Sequence, residues 1–188
     1  MGAFPIPRLS VEEYFALDNE AELPSEYHDG EMFEMEAASL SHAFIGANVG
    51  GLLFQRLSGT SCRVLYPVRV RISPTKYVIP DLSVICGKTI PADQTGEAIV
   101  NPKMIVEILS PKTEGYDYHR KFDMYRQLST FEEYLLIAQD QPRIEIFRKA
   151  PDSSWTLFTY EGAGAVARVH SLGIELPLDE IYAGVEFA

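Results

Sequence analysis

Apolar residues recur at two different spacings along this chain, and the switches between them mark out its elements. Ser10-Val11-Glu12-Glu13 sets a Ser three residues before a Glu, which predicts a capping box opening a short helix to about Leu17. Residues 18 to 25 are polar and contain Pro24, a loop. Within Ser25–Ala37, Asp29-Gly30 stands between two short β-like runs, a hairpin signal. Glu26 then lies on the first of those strands, where a charge ordinarily faces solvent. From Ser39 to Ser58, Ile45, Val49, Leu52 and Leu53 follow helical spacing, with Gly59 just past the end. Gly46, Gly50 and Gly51 weaken that helix but admit a close neighbour. His42, three before Ile45, projects from its apolar side.

Cys62–Ser73 alternates, with Cys62, Val64, Tyr66, Val68, Val70 and Ile72 on one side and Arg63, Arg69 and Arg71 on the other. This predicts one long strand with a basic outer face. A turn at Pro74-Thr75-Lys76 leads to a second strand, Tyr77–Cys86. Pro80 inside it requires an edge, a bulge or a strand start, so Asp81 sits on irregular backbone. Gly87–Asn101 reads as a polar loop carrying Pro91, Asp93 and Gly96. Met104–Leu109 is continuously apolar except for Glu107, the pattern of a strand covered on both faces. Tyr116–Ser129 reads as a helix with Tyr118, Phe122 and Tyr125 on its buried stripe and Lys121 on or beside it. Glu133–Ala138 is a further apolar strand. Arg143–Lys149 and Trp155–Glu161 form a hairpin around Ala150-Pro151-Asp152-Ser153. Val166–Leu176 predicts one more strand, and Asp179–Tyr182 a short final helical turn.

The succession of helix, hairpin, long helix, strands, helix and strands is that of an α/β sheet with mixed pairing and helices on its faces. At 188 residues, 46% hydrophobic and 23% charged, a single domain spanning 1–188 is expected. The net charge of −11 opposes non-specific binding to nucleic acid, where phosphate neutralisation dominates affinity. It leaves room for one locally basic, metal-containing groove. Cys62 and Cys86 form no CxxC pair and are expected as two reduced, buried thiols of a reducing cytosol. Met1–Glu20 has no basic segment followed by an apolar run, and no stretch reaches the roughly 20 apolar residues of a membrane helix. A cytoplasmic location with no membrane association is the expectation.

The candidate chemistry lies between Pro80 and Lys121. Asp81 opens one apolar run, Glu107 sits in the next, and Lys121 follows. An isolated carboxylate in an apolar strand needs a partner or a metal. Two such strands side by side can share one divalent cation. Each residue also has a plainer role. Asp81 can cap a turn, Glu107 can pair with Lys121 or Arg120, and Asp117 can pair with Lys121 one helical turn on.

Taken in order, Ser25-Glu26-Tyr27-His28-Asp29-Gly30-Glu31, His42, Pro80-Asp81-Leu82-Ser83-Val84, Val106 to Thr113, Asp117, Lys121, Tyr125 and Glu133-Tyr134 resemble a known pattern. It is similar to the PD-(D/E)xK nuclease superfamily and, more closely, to the Uma-type family of restriction-endonuclease-like proteins. The resemblance covers most of residues 8 to 150. It implies a restriction-endonuclease-like mixed sheet flanked by helices, with an additional antiparallel β-hairpin. It further implies a Mg²⁺- or Mn²⁺-dependent site for hydrolysing nucleic acid, DNA first, and a homo-oligomer. Asp81 and Glu107 are the implied metal ligands, with Glu26 as a further acid and His42 nearby. The superfamily's Lys falls two residues after the strand acid, where this chain has Leu109. Lys121 on the following helix is the expected replacement, ahead of Lys112. Arg69, Arg71 and Arg120 are expected phosphate contacts. The rival from a different class is a degenerate nuclease fold kept as a binding or assembly module. A glycosidase using the two acids has the residue types but lacks the aromatic flanks of a sugar subsite.

Overall fold

The computed structural model describes residues 8–92 and 96–187. Residues 1–7, and Asp93 of the expected loop, lie outside that range. Helix α1 (Val11–Asp18) begins at the expected capping box, with Ser10 Oγ accepting from Glu13 N–H and the Glu13 carboxylate accepting from Ser10 N–H. Strands β1 (Ser25–His28) and β2 (Glu31–Glu34) form the hairpin, turning through Asp29 and Gly30. Both turn residues have positive φ, 52° and 99°, as a tight two-residue turn requires. Helix α2 (Leu40–Arg56) buries Ile45, Val49, Leu52 and Leu53. Its Gly50 faces the Tyr66 hydroxyl so closely that a Cβ would collide with it.

Strands β3 (Cys62–Leu65), β4 (Arg69–Ser73), β5 (Lys76–Val78), β6 (Leu82–Cys86), β7 (Ala98–Ile99) and β8 (Met104–Leu109) come next. A π-helical turn, Tyr116–Lys121, runs directly into helix α3 (Phe122–Tyr125). Strands β9 (Glu133–Ala138), β10 (Arg143–Lys149), β11 (Trp155–Glu161), β12 (Val166–Val169) and β13 (Ile174–Pro177) follow, and helix α4 (Leu178–Ile181) comes last. These strands make a six-stranded sheet in the order β11-β10-β9-β8-β6-β3 and a five-stranded sheet in the order β2-β1-β5-β4-β7, while β12 and β13 pair as a hairpin. The β8–β9 pair is parallel, and the other pairs of the six-stranded sheet are antiparallel. The expected mixed α/β architecture with an added antiparallel hairpin is what the chain adopts.

Two expected strands are each divided. Cys62–Ser73 becomes β3 in the larger sheet and β4 in the smaller, and Tyr77–Cys86 continues from β5 in the smaller to β6 in the larger. Both crossings contain a proline, Pro67 and Pro80, which cannot donate to a ladder. Alternation runs on across the break, so periodicity alone does not reveal it. The expected 87–101 loop holds the short strand β7, and Val166–Leu176 is two strands where one was expected. The two cysteines are not free thiols: Cys62 and Cys86 face each other in the β3–β6 register and form a disulfide.

Strand β8 is buried along its whole length, and its alternation decides what each side chain meets. Met104, Val106 and Ile108 join the core under α2, while Ile105 and Leu109 join the core under α3 with Tyr125 and Tyr134. By the same alternation Glu107 belongs with Ile105 and Leu109, on the side of the π-helical turn. Among the described residues, no helix is long and apolar enough to cross a membrane.

Candidate active site

Four chain segments bring charged groups to one point. Strand β8 supplies Glu107, which is buried. Lys121, the last residue of the π-helical turn, extends its ammonium to within 3.0 Å of Glu107 Oε1. The same ammonium lies 3.2 Å from Glu26 Oε1 and 3.4 Å from Asp117 Oδ1. One buried cation therefore answers three buried carboxylates. Tyr125 donates a further hydrogen bond to Glu107 Oε1 at 2.8 Å. The wide π turn, a feature often found at functional sites, carries both Asp117 and Lys121.

Asp81 sits at the strand start that Pro80 forces, and it is locked to Glu107's strand. Ile108 N–H donates to Asp81 Oδ2 at 2.7 Å, and Asp81 N–H approaches Glu107 Oε2 at 3.4 Å. The remaining Asp81 oxygen, Oδ1, faces His42 Nε2 at 3.2 Å. His42 is in the first turn of α2, which Ser39 caps by accepting from His42 N–H.

Glu26 is buried, where a charge beside a turn ordinarily faces solvent. Its Oε1 accepts from Ile79 N–H at 3.0 Å and faces Lys121. Its Oε2 accepts from Tyr116 O–H at 2.7 Å and contacts His28 Nε2 at 3.3 Å. Both oxygens are engaged by protein donors.

The electrostatics follow from this crowding. Burial pushes the Glu107 carboxyl well above its ordinary range, with Asp117 and Asp81 adding to the rise and Lys121 opposing it. Burial likewise raises Asp117 against the pull of Lys121. Burial would raise Glu26 too, but Lys121, His28, Ile79 N–H and Tyr116 together bring it down to about 2. Burial works against the Lys121 charge, yet Glu107, Glu26 and Asp117 outweigh it and hold the ammonium well above its ordinary range. His42 is raised because Asp81 outweighs its burial.

These groups open onto a cleft of about 1270 Å³, lined by the β1–β2 hairpin, the start of α2 and the segment from Ser110 to Met124. Arg120 is on its wall. Arg69 and Arg71, the other two expected phosphate contacts, are not among its lining residues. The Arg69 guanidinium pairs with buried Asp18, bonds Tyr14 Oη at 2.9 Å and lies over the Tyr14 and Phe15 rings. Arg71 pairs with Tyr77 inside the smaller sheet. Lys112 is at the cleft mouth, bonded to Glu36 at 3.0 and 3.1 Å, so Lys121 and not Lys112 reaches Glu107.

The sequence patterns of known proteins bear directly on this arrangement. The family described as "Uma2: Putative restriction endonuclease" matches residues 11–179. The chain belongs to the Uma2 family. Two uncharacterized proteins of Synechocystis, slr1290 and sll1609, are each 31% identical to it. The first aligns over 97% of this chain and 96% of its own length, the second over 84% and 90%. Among solved structures, a putative nuclease of DUF820 from Anabaena variabilis superposes with a TM-score of 0.75 at 18% identity. That superposition covers 93% of this chain and 98% of the other, and it shows a shared fold.

The donor set of this Uma2 chain suits a small hard cation. Asp81 Oδ1 and Glu107 Oε2 are carboxylate oxygens with one long contact each, and magnesium takes few carboxylates and completes its shell with water. Among the described residues, no three His, Cys, Asp or Glu side chains form a ready-made cage.

Sequence reasoning missed Tyr116, Tyr125 and His28 as partners of the site. Tyr125 and Tyr116 lie four after and five before Lys121, so a helical reading of 116–129 places Tyr125 within reach but leaves Tyr116 to the π turn.

Proposed function

We propose that this Uma2 chain is a metal-dependent nuclease hydrolysing phosphodiester bonds of nucleic acid, with DNA as its substrate. The observation that carries the reading is Lys121. Position 109 is Leu, yet the ammonium arrives from the next helix at 3.0 Å from Glu107, on the strand acid that Asp81 adjoins.

A Mg²⁺ or Mn²⁺ ion held by Asp81 and Glu107 would supply an activated water and a positive charge at the phosphoryl oxygen. The protein's own groups do the rest. Lys121 keeps its proton throughout, so it acts as a fixed charge that offsets the developing negative charge on the phosphate, not as a base. Glu26 and Asp117 hold that ammonium in place. His42 fixes the outer oxygen of Asp81 and presents a proton at the cleft. Arg120 meets the nucleic-acid backbone at the cleft wall.

The test is cleavage of plasmid and of single-stranded circular DNA in Mn²⁺ by the native protein and by Asp81→Ala prepared in parallel. Loss of cleavage with Asp81→Ala supports the reading, and equal cleavage by both contradicts it. A second reading is a nuclease fold kept as a binding module. It is favoured by the absence, among the described residues, of any group of three His, Cys, Asp or Glu side chains placed to hold a metal ion. Calorimetric titration separates the two: a module binds neither Mg²⁺ nor Mn²⁺ at millimolar concentration.

A further inference from the structure

Resting on that reading, we infer that the cleft takes a single strand of DNA, with a base stacked on Phe33, and not an intact duplex. Phe33 is the cross-strand partner of Glu26 in the β1–β2 hairpin. Directly opposed residues of an antiparallel pair project from the same face, so the Phe33 ring stands on the face that carries Glu26. His28, two residues after Glu26, shares that face and meets the Phe33 ring edge-on at 5.2 Å. Tyr116 meets His28 edge-on in turn, at 6.3 Å, and bonds Glu26. An aromatic row thus leads from the cleft mouth to the carboxylate that holds Lys121. Phe33 is its outer member, and 49% of it is exposed, on a strand whose neighbours are Glu31, Met32 and Glu34. A ring left open beside a phosphodiesterase site is a platform for a base, because every base has a π-face.

The charges around the cleft argue against a duplex. Nine carboxylates line it against five lysine and arginine side chains. Three of those five are committed: Lys76 to Asp29, Lys112 to Glu36 and Lys121 to its carboxylates. Among the described residues, Arg8 and Arg120 are the lining cations without an ion pair. Duplex binding without base contacts draws its affinity from many phosphate contacts, and two free cations supply few. Stacking depends less on that term, so a strand whose bases are free to splay can bind where a paired one cannot.

The experiment measures fluorescence polarisation of a labelled single-stranded DNA and of the duplex of the same sequence, in Ca²⁺ to hold the phosphate without cleavage. Native protein, Phe33→Ala and Phe33→Trp are compared. The single strand is expected to bind at least tenfold tighter than the duplex. Phe33→Ala is expected to weaken single-strand binding about tenfold, and Phe33→Trp to retain it, as stacking on an aromatic platform requires. Duplex bound as tightly as the single strand, or binding indifferent to Phe33→Ala, overturns the inference and leaves the nuclease reading standing. Binding of neither DNA overturns both.

Discussion

Glu107 and Glu133 are both buried carboxylates, on the adjacent parallel strands β8 and β9, yet their surroundings differ in one respect that decides their roles. Glu133 is fully satisfied by fixed donors. Its Oε1 accepts from Arg148 Nε at 2.8 Å and from His170 N–H at 3.1 Å, and its Oε2 accepts from Ser171 N–H at 2.8 Å. It ties β9 and β10 to the turn between β12 and β13, with one charge against one charge. Glu107 shares its single ammonium with Glu26 and Asp117, and its second oxygen has only the 3.4 Å approach of Asp81 N–H. Negative charge is in excess there and faces a cleft. Burial of an acid does not mark a site; an acid left short of positive charge beside an opening does.

Separating these two glutamates by mutation gives effects of graded size. The largest is on stability. Glu133→Ala leaves Arg148 and two part-buried N–H groups without their acceptor, and breaking a buried pair from one side costs about 3–5 kcal/mol. Urea denaturation is expected to show a lowered midpoint, with cleavage per folded molecule unchanged. Lys121→Met acts on the other glutamate and also strips three buried carboxylates of their shared cation, so its cleavage is read per folded molecule. Removing a fixed charge aimed at the reacting phosphate is expected to lower the cleavage rate about 10²–10³-fold. Single-turnover rates at saturating Mn²⁺ measure it.

Glu26 supplies the pH test. Its folded pKa of about 2 lies below the ordinary 4.5, so the stability it contributes is present above pH 4.5 and is lost as pH falls toward 2. A depression of that size corresponds to about 3 kcal/mol. Glu26→Gln is therefore expected to flatten the acid limb of a stability–pH curve between those values. The smallest effect on stability is expected for Glu107→Gln. The carboxyl's raised pKa means that its ionisation opposes folding, a penalty that grows as pH rises from the ordinary value through the folded one. The amide avoids this penalty, so stability near pH 7 is expected to stay within about 1 kcal/mol of native. Loss of cleavage is nevertheless expected, as the proposed metal-holding role of Glu107 requires. Glu133→Gln, lacking any such relief, is the matched control in the same denaturation series.

Much of the fold is legible where the signal is local. The Ser10–Glu13 capping box, the Asp29-Gly30 turn and the apolar spacing of α2 each act over a few residues and were readable as such. The crossings between sheets were not, since Pro67 and Pro80 interrupt hydrogen bonding without interrupting alternation. The Cys62–Cys86 bridge depends on the β3–β6 register, which composition and spacing do not convey. Within the site, Asp81, Glu107, His42 and Lys121 were legible as isolated polar groups in apolar surroundings, and the structure brings them together. Glu26 was named through the family resemblance alone, because a charge on a four-residue strand next to a turn ordinarily faces water. Its burial comes from Tyr116, Lys121 and Ile79, which are 53 or more residues away in the chain. Arg69 runs the opposite way: it sits in strand β4, and its buried partner, Asp18, comes from the end of helix α1.

Soaking a crystal of the protein in Mn²⁺ and recording anomalous diffraction tests the shared-ion site most directly. A peak within bonding distance of both Asp81 Oδ1 and Glu107 Oε2, absent from Asp81→Asn crystals soaked alike, is the predicted result. A fully soaked crystal with no peak between those two carboxylates, or with manganese bound only elsewhere on the surface, would contradict it.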